Sequence, residues 1–149
     1  MKTLSRSVLV NYSAEQMYGL INDIEAYPTF MEGCTDAQIL DSGDDFIEAR
    51  LTLRHGTIEQ RLITRNELHP PSKMIMHLLE GPFKHFEGRW QFDALGESGC
   101  KVSLDLSFMF SNPLFAMTVG KWFEKSATKQ VDALCQRADK LFGGEHVGH

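Results

Sequence analysis

Histidine and cysteine side chains are the first candidates for chemistry in this chain, which has six histidines and three cysteines. Cys34, Cys100 and Cys135 are far apart and form no CxxC pair, so the sequence indicates neither a disulfide framework nor a structural zinc site. No carboxylate is spaced to orient His77 or His85, and the chain has no HExxH motif, nucleophile elbow or glycine-rich phosphate loop. The sequence therefore predicts no metal site and no catalytic residues, and a protein that is not an enzyme.

Aromatic side chains are the second candidate, and they suggest binding. In LLEGPFKHFEGRWQF, residues 78–92, the alternation of a strand puts Phe86, Trp90 and Phe92 on one face together with Gly88. A glycine on such a face allows a close approach of another element, or leaves space beside the strand. The pattern is compatible with a plain hydrophobic core and with a cavity that binds an apolar molecule by burial.

Three lysines form the third candidate feature. Lys121, Lys125 and Lys129 recur every four residues, so they line one face of the helix predicted there. They form either a solvated surface or a contact surface for an anionic membrane or another polyanion such as RNA. A net charge of -5 argues against general nucleic-acid binding, and no DNA partner is expected.

The chain length and composition indicate what kind of protein must position these residues. A chain of 149 residues with 42% hydrophobic and 23% charged residues is typical of one soluble domain. We expect that domain at residues 1–142 and a flexible tail at 143–149. No apolar run approaches the roughly 18 residues of a membrane span, and the N-terminus resembles a strand rather than a signal peptide. The expected location is the cytoplasm, including a peripheral position at the inner membrane.

The element pattern begins with a strand at residues 3–10, followed by Ser13 and Gln16 at the spacing of a helix capping box. Pro28 should interrupt that helix near Tyr27, which predicts two short helices. Further strands are predicted at 34–40, 46–54, 57–68, 73–80, 84–95 and 100–110, with a hairpin turn at His55-Gly56. After Ser111 or Asn112 as the cap, an apolar stripe predicts a helix of about 28 residues.

These elements predict an α+β fold. A single antiparallel sheet of about seven strands has one apolar face that must be covered, and only the C-terminal helix is long enough to cover it. We therefore expect a curved sheet wrapped around that helix, with the two short helices after the first strand. Gly88 would let the helix approach the sheet closely, or leave room for another group.

Several short motifs, taken in order, resemble one protein family. They are DIEAYP at 23–28 followed by Phe30 and Cys34, EGPF at 80–83, GxWxF at 88–92, FxFSN at 108–112, and Arg137-Ala138. The series, over residues 3–142, resembles the coenzyme Q-binding proteins of the START (polyketide cyclase/dehydrase-like) superfamily, whose bacterial branch includes the ribosome association toxin proteins. Met31-Glu32-Gly33 departs from the apolar, tryptophan-containing stretch expected there, which concerns the mouth of the binding tunnel.

The resemblance implies a helix-grip fold with a hydrophobic tunnel between the sheet and the long helix. It also implies a bound ubiquinone or other isoprenoid lipid, no obligatory cofactor and no catalytic apparatus. The residues expected to bind the ligand are Tyr27, Phe30, Phe83, Phe86, Trp90, Phe108, Phe110, Phe115, Phe123 and Val131. Among them, Tyr27 should offer its hydroxyl to a quinone carbonyl, and Phe83 should face Tyr27 and Phe30 across the entrance.

Three functions follow from the resemblance. The leading interpretation is a non-enzymatic carrier of a hydrophobic small molecule that supports respiratory electron transfer and contacts the membrane transiently. The alternative is a toxin-like regulator that binds the large ribosomal subunit and blocks subunit association. The third is a polyketide cyclase-like enzyme, which would need polar groups such as Glu59, Arg61 or His77 to converge inside the cavity.

Overall fold

The computed structural model of the protein describes residues 1–143. Its elements are β1 (Lys2–Val10), α1 (Ala14–Asn22), a 3₁₀ turn (Ile24–Ala26), α2 (Tyr27–Phe30), β2 (Cys34–Ser42), β3 (Phe46–His55), β4 (Ile58–His69), β5 (Lys73–Glu80), β6 (Phe83–Leu95), β7 (Gly99–Phe110) and α3 (Pro113–Phe142). The predicted α+β fold is confirmed: seven antiparallel strands, a long C-terminal helix, and short helices after the first strand. Residues 144–149 of the expected tail, which include His146 and His149, lie outside the described residues.

The seven strands form one sheet in the order β1-β7-β6-β5-β4-β3-β2. Strands β2 to β6 each pair with the next strand along the chain, whereas β1 pairs with β7, from Lys2 opposite Phe108 to Val10 opposite Cys100. The turn between β3 and β4 is Gly56-Thr57, because His55 still pairs with Ile58. This moves the predicted His55-Gly56 turn by one residue.

The first helices are set by their caps. The Ser13 side chain accepts a hydrogen bond from the Gln16 backbone N–H at 3.1 Å, and the Gln16 side chain accepts one from the Ser13 N–H at 2.9 Å, as the capping box predicts. The break comes earlier than expected, since α1 ends at Asn22. Pro28 lies in the first turn of α2, where its missing N–H costs no helical hydrogen bond, so it begins a helix instead of ending one.

Helix α3 begins at the predicted cap, where the Asn112 side chain accepts a hydrogen bond from the Leu114 N–H at 2.9 Å. It is 30 residues long, or about 45 Å at 1.5 Å per residue. Its buried stripe consists of Val119, Phe123, Ala127, Val131, Leu134 and Ala138. Arg6 of β1 binds the Asp132 carboxylate through both terminal nitrogens, at 2.8 and 2.6 Å, and thereby fixes the helix along the β1 side of the sheet.

The inner face of the sheet carries the predicted alternation. Val102, Leu104, Leu106 and Phe108 of β7 are all buried. On β6, a Cβ added to Gly88 would lie 2.4 Å from the Cε of Met76 on the neighbouring strand. The space beside the glycine is therefore filled by a methionine of the sheet, and not by a close approach of α3.

Phe108 belongs to the packed core. Its side chain is 2% exposed, and its ring centroid lies 4.9 Å from that of Phe123. We expect Phe108→Ala to lower the free energy of unfolding by about 3–5 kcal/mol, because truncating a fully buried ring removes its contacts and leaves a void. Urea unfolding followed by circular dichroism measures this loss. Leu141→Ala, at a side chain that is 49% exposed, should change stability by about 0.5 kcal/mol or less, and an equal loss in both variants would contradict this placement.

Candidate functional site

A cavity of about 120 Å³ lies between the inner face of the sheet and α3. Its walls are Leu51, Leu53, Leu62, Thr64, Met76, Phe86, Trp90, Leu104 and Leu106 from the sheet, Trp122, Phe123, Ser126, Ala127 and Gln130 from α3, and Tyr27, Met31, Glu32, Gly33 and Cys34 from α2 to β2. These walls come from both hydrophobic clusters of the protein, one around Trp90 and one around Phe123. The cavity therefore lies between the two clusters, where their side chains do not contact each other.

The cavity exists because α3 presents small side chains at this height. Ser126 and Ala127 line the cavity opposite Leu104 and Leu106 of β7. One turn before Ala127, the ring of Phe123 packs into its cluster, and one turn after it, Val131 is fully buried. The helix is therefore packed above and below the cavity, while two short side chains leave the space between.

The walls offer little to a polar ligand. Thr64 donates its hydroxyl hydrogen to the side-chain oxygen of Asn66 at 3.0 Å, so it is already paired. Gln130 donates from Nε2 to the Ser126 backbone carbonyl at 3.2 Å, while its buried Oε1 accepts no hydrogen bond from the described residues. Such a lining binds mainly through burial of apolar surface, at about 25 cal/mol per Å².

Four of the residues expected to bind a ligand line this cavity: Tyr27, Phe86, Trp90 and Phe123. The Tyr27 hydroxyl donates a hydrogen bond to the Ile21 backbone carbonyl, and burial raises the pKa of that hydroxyl above its usual value. Tyr27 therefore contributes its ring to the cavity wall, and its hydroxyl is not free to bind a quinone carbonyl. This corrects the role expected for its hydroxyl group.

The other six expected residues lie elsewhere. Phe83, Phe110 and Phe115 line a smaller, adjoining cavity of about 20 Å³, which Phe123 also borders. Phe108 and Val131 are packed in the core, and Phe30 lines an outer groove beside α3. The alternation of the strands places the aromatic rings on the correct face, but only some of them at the height of the cavity.

The expected pair of lips across the entrance is also corrected. Phe83 is 7% exposed, and its ring centroid lies 4.8 Å from that of Phe110 and 5.1 Å from that of Phe86. It is a core ring of the Phe123 cluster, and it lines a different cavity from Tyr27.

Trp122 is the main residue that sequence reasoning missed. It lines both cavities and the outer groove, and its ring stacks on His55 with centroids 4.8 Å apart. Opposite it lies Gly33, whose φ of +88° favours glycine and whose absent Cβ would lie 3.4 Å from Trp122. The departure at Met31-Glu32-Gly33 therefore falls at this wall of the cavity. The sequence signal that could have identified Trp122 is its large aromatic side chain next to Phe123, at the edge of the apolar stripe of α3.

The outer groove, with a volume of about 350 Å³, adjoins the cavity. The two spaces share Glu32, Trp122, Ser126 and Gln130. The groove is further lined by Phe30, Lys125, Lys129, Asp132, Ala133 and Gln136. Of the three predicted lysines, Lys125 and Lys129 thus border the groove, and Lys121 does not.

The side chains proposed for catalysis do not converge in the cavity. Glu59 and Arg61 are exposed, and His77 lies beside Glu67 and Glu87, at 3.3 and 3.6 Å, half-exposed and outside the cavity lining. Hydrogen bonds from His69 and His77 hold the pKa of Glu67 below its usual value.

Cys34 does line the cavity, but burial raises the pKa of its thiol to about 11, so the thiolate needed for nucleophilic attack is scarce at neutral pH. Within residues 1–143, no group of three or more histidine, cysteine, aspartate or glutamate side chains is placed to hold a metal ion. None of the described helices is long and apolar enough to cross a membrane.

Residues 10–135 match the family model for polyketide cyclase/dehydrase and lipid transport proteins. The chain is 42% identical to the ribosome association toxin RatA of Pseudomonas aeruginosa, over 94% of this chain and 97% of that protein. It is 24% identical to the mitochondrial coenzyme Q-binding protein COQ10 homolog B of Xenopus laevis, over 96% of this chain and 60% of that protein. Among solved structures, the Zhui aromatase/cyclase of Streptomyces sp. R1128 superposes with a TM-score of 0.82 at 16% identity, covering 93% of this chain and 94% of that one, which shows a shared fold.

The left-handed backbone conformation of Gly33 can be tested by substitution. Gly33→Ala should lower the free energy of unfolding by about 1–2 kcal/mol, because alanine is strained in the left-handed conformation. Gly120→Ala is the matched control: it lies in α3 with no atom within 4 Å of an added Cβ, and should stabilise the protein by up to about 1 kcal/mol. Thermal unfolding measures both, and equal stability in the two variants would refute the predicted strain.

Proposed function

The chain belongs to the polyketide cyclase/dehydrase and lipid transport family, and on that premise we propose that it regulates ribosomes by binding a subunit and blocking subunit association. The supporting observation is the 42% identity, over nearly the whole of both chains, to a protein named for ribosome association. We therefore rank the ribosome-directed interpretation above that of a quinone carrier. This function requires the cytoplasm, where ribosomes act.

The exposed face of α3 supports the proposal on physical grounds. Lys121, Lys125 and Lys129 are all exposed, and none forms an ion pair with another of the described residues. Successive members of this lysine stripe are one helical turn apart, roughly 6 Å along the axis. A row of uncommitted positive charges on a rigid helix suits a polyanionic partner such as the RNA of the large ribosomal subunit.

A second candidate function, the binding of a hydrophobic small molecule, is favoured by the apolar cavity. A volume of about 120 Å³ corresponds to about four water volumes, since a water occupies about 30 Å³ in the liquid. A long isoprenoid tail, as in ubiquinone, would therefore leave most of its length outside, whereas a short apolar group would be enclosed.

A non-enzymatic role agrees with the names of the relatives, which denote ribosome association and coenzyme Q binding. The cyclase alternative ranks third. The shared fold does not determine a reaction, and Glu59, Arg61 and His77, which would have served one, do not line the cavity.

The lysine stripe provides the test of the ribosomal proposal. Changing Lys121, Lys125 and Lys129 to glutamate reverses the charge of this face without altering the buried stripe, so the protein should fold normally. We expect co-sedimentation with large ribosomal subunits to be lost, and wild-type binding to weaken steeply with salt, because phosphate contacts release counterions.

The matched control changes Lys73, Lys84 and Lys101 to glutamate, which alters the net charge equally but lies on the sheet. It should retain ribosome binding. If both triple variants bind alike, or if the wild-type protein does not co-sediment with large subunits at low salt, the proposal is wrong.

The second candidate is tested by organic extraction of the purified protein followed by mass spectrometry. We expect an apolar or amphiphilic compound from the wild-type protein, and a smaller amount from Ala127→Met, in which a longer side chain fills the cavity. Equal yields from the two proteins, after matching for correctly folded material, would show that the compound does not bind in the cavity.

A further inference from the structure

The cavity and the outer groove adjoin, and their linings differ in character. The cavity is almost entirely apolar, whereas the groove contains the ammonium groups of Lys125 and Lys129. Ser126 and Gln130, which line both spaces, each follow one of these lysines in the chain. One side of α3 therefore presents an apolar pocket and, immediately beside it, a pair of cations.

The charges around the groove leave it with a net positive charge. Asp132 also lines the groove, but both of its carboxylate oxygens are bound by the Arg6 guanidinium, at 2.6 and 2.8 Å. Glu32, at the junction with the cavity, is the other carboxylate of the lining, against two lysines. The guanidinium of Arg137 adds a positive charge near this surface, 5.4 Å from the ring of Phe30.

We propose that the cavity and the groove form one site for an anionic amphiphile. Its alkyl tail occupies the cavity between Trp90 and Ala127, and its anionic head lies in the groove against Lys125 and Lys129. Neither space alone explains both features, because the cavity has no cation for a head group and the groove is too polar to enclose a tail.

The size of the cavity determines the class of tail. Room for about four water volumes corresponds to a short alkyl segment of about four or five carbons. Each methylene group buried should tighten binding roughly fourfold until the cavity is full. A longer chain gains nothing further from the cavity, so affinity should level off near a pentyl chain, and a decyl chain saturates the cavity.

Occupancy of this site would regulate ribosome binding. Unlike the site itself, this consequence rests on the proposed function. A bound anionic head would neutralise Lys125 and Lys129, which are two of the three lysines assigned to the ribosomal contact. The amphiphile and the ribosomal RNA would then compete, and the free protein would be the form that binds ribosomes.

Calorimetric titration of the wild-type protein with decanoate and with decanol separates the head from the tail. We expect both to bind, since they share a tail. In the variant with Lys125→Gln and Lys129→Gln, decanoate should bind at least roughly tenfold more weakly, the size of a lost charge-assisted hydrogen bond, and decanol should be unaffected. Decyl phosphate has a different anionic head group, and loss of its binding in the same variant would equally support the site.

Lys121→Gln is the control, because Lys121 belongs to the same lysine stripe but does not line the groove. It should leave decanoate binding unchanged. Equal weakening by Lys121→Gln would indicate a general charge effect and overturn the proposal, as would equal weakening of decanol and decanoate in the double variant.

The place of the tail is tested by filling the cavity. Ala127→Met should weaken both ligands, and Ser126→Met provides a second variant if the first folds poorly. Unchanged binding of decanol in a folded cavity-filling variant would overturn the assignment of the tail.

The regulatory consequence has a separate test. Saturating decanoate should release the wild-type protein from large ribosomal subunits, whereas decanol should not. Failure of the protein to bind ribosomes at all would refute the proposed function but leave the calorimetric result standing. Ribosome binding that persists in saturating decanoate would refute competition.

Discussion

The structure depends on one packing constraint: a single helix must cover the apolar face of a seven-stranded sheet. Seven strands at about 4.8 Å spacing span roughly 30 Å, while a helix is about 10 Å across. Helix α3 lies toward the β1 edge of the sheet, where Arg6 binds Asp132, and not over its centre. The curvature of the sheet and the short helices must cover the rest of the apolar face, and they cover it incompletely. The cavity is the part of this face that no element reaches.

Along α3, the sizes of successive side chains determine where that gap lies. Phe123 and Val131 fill their levels, and Ser126 with Ala127 leaves the level between them open. The adjoining flank of the same turns carries Lys125 and Lys129 of the lysine stripe. Because both features belong to one rigid helix, the proposed ligand site and the proposed contact surface lie within a few residues of each other.

The fold was predictable because local signals agreed with it. The alternation of β7, the capping pair Ser13 and Gln16, and the Asn112 cap each depend on residues close in the chain. The cavity was only partly predictable, because alternation identifies which face a ring occupies and not its height along the helix. Phe108 and Trp90 share a face, yet one is core and the other is wall. Trp122 escaped notice because it flanks the buried stripe, and its position depends on the distant residues His55 and Gly33.

The pairing of β1 with β7 has a consequence for the order of events during synthesis. The first strand of the chain finds its partner only after about a hundred further residues, and α3 follows that partner. Non-local pairing of this kind is slow, since the intervening loop must close before any contact stabilises it. While the chain is being made, the meander β2 to β6 exposes its apolar face with no helix to cover it. The cavity and the lysine stripe are therefore assembled last, once α3 has been made.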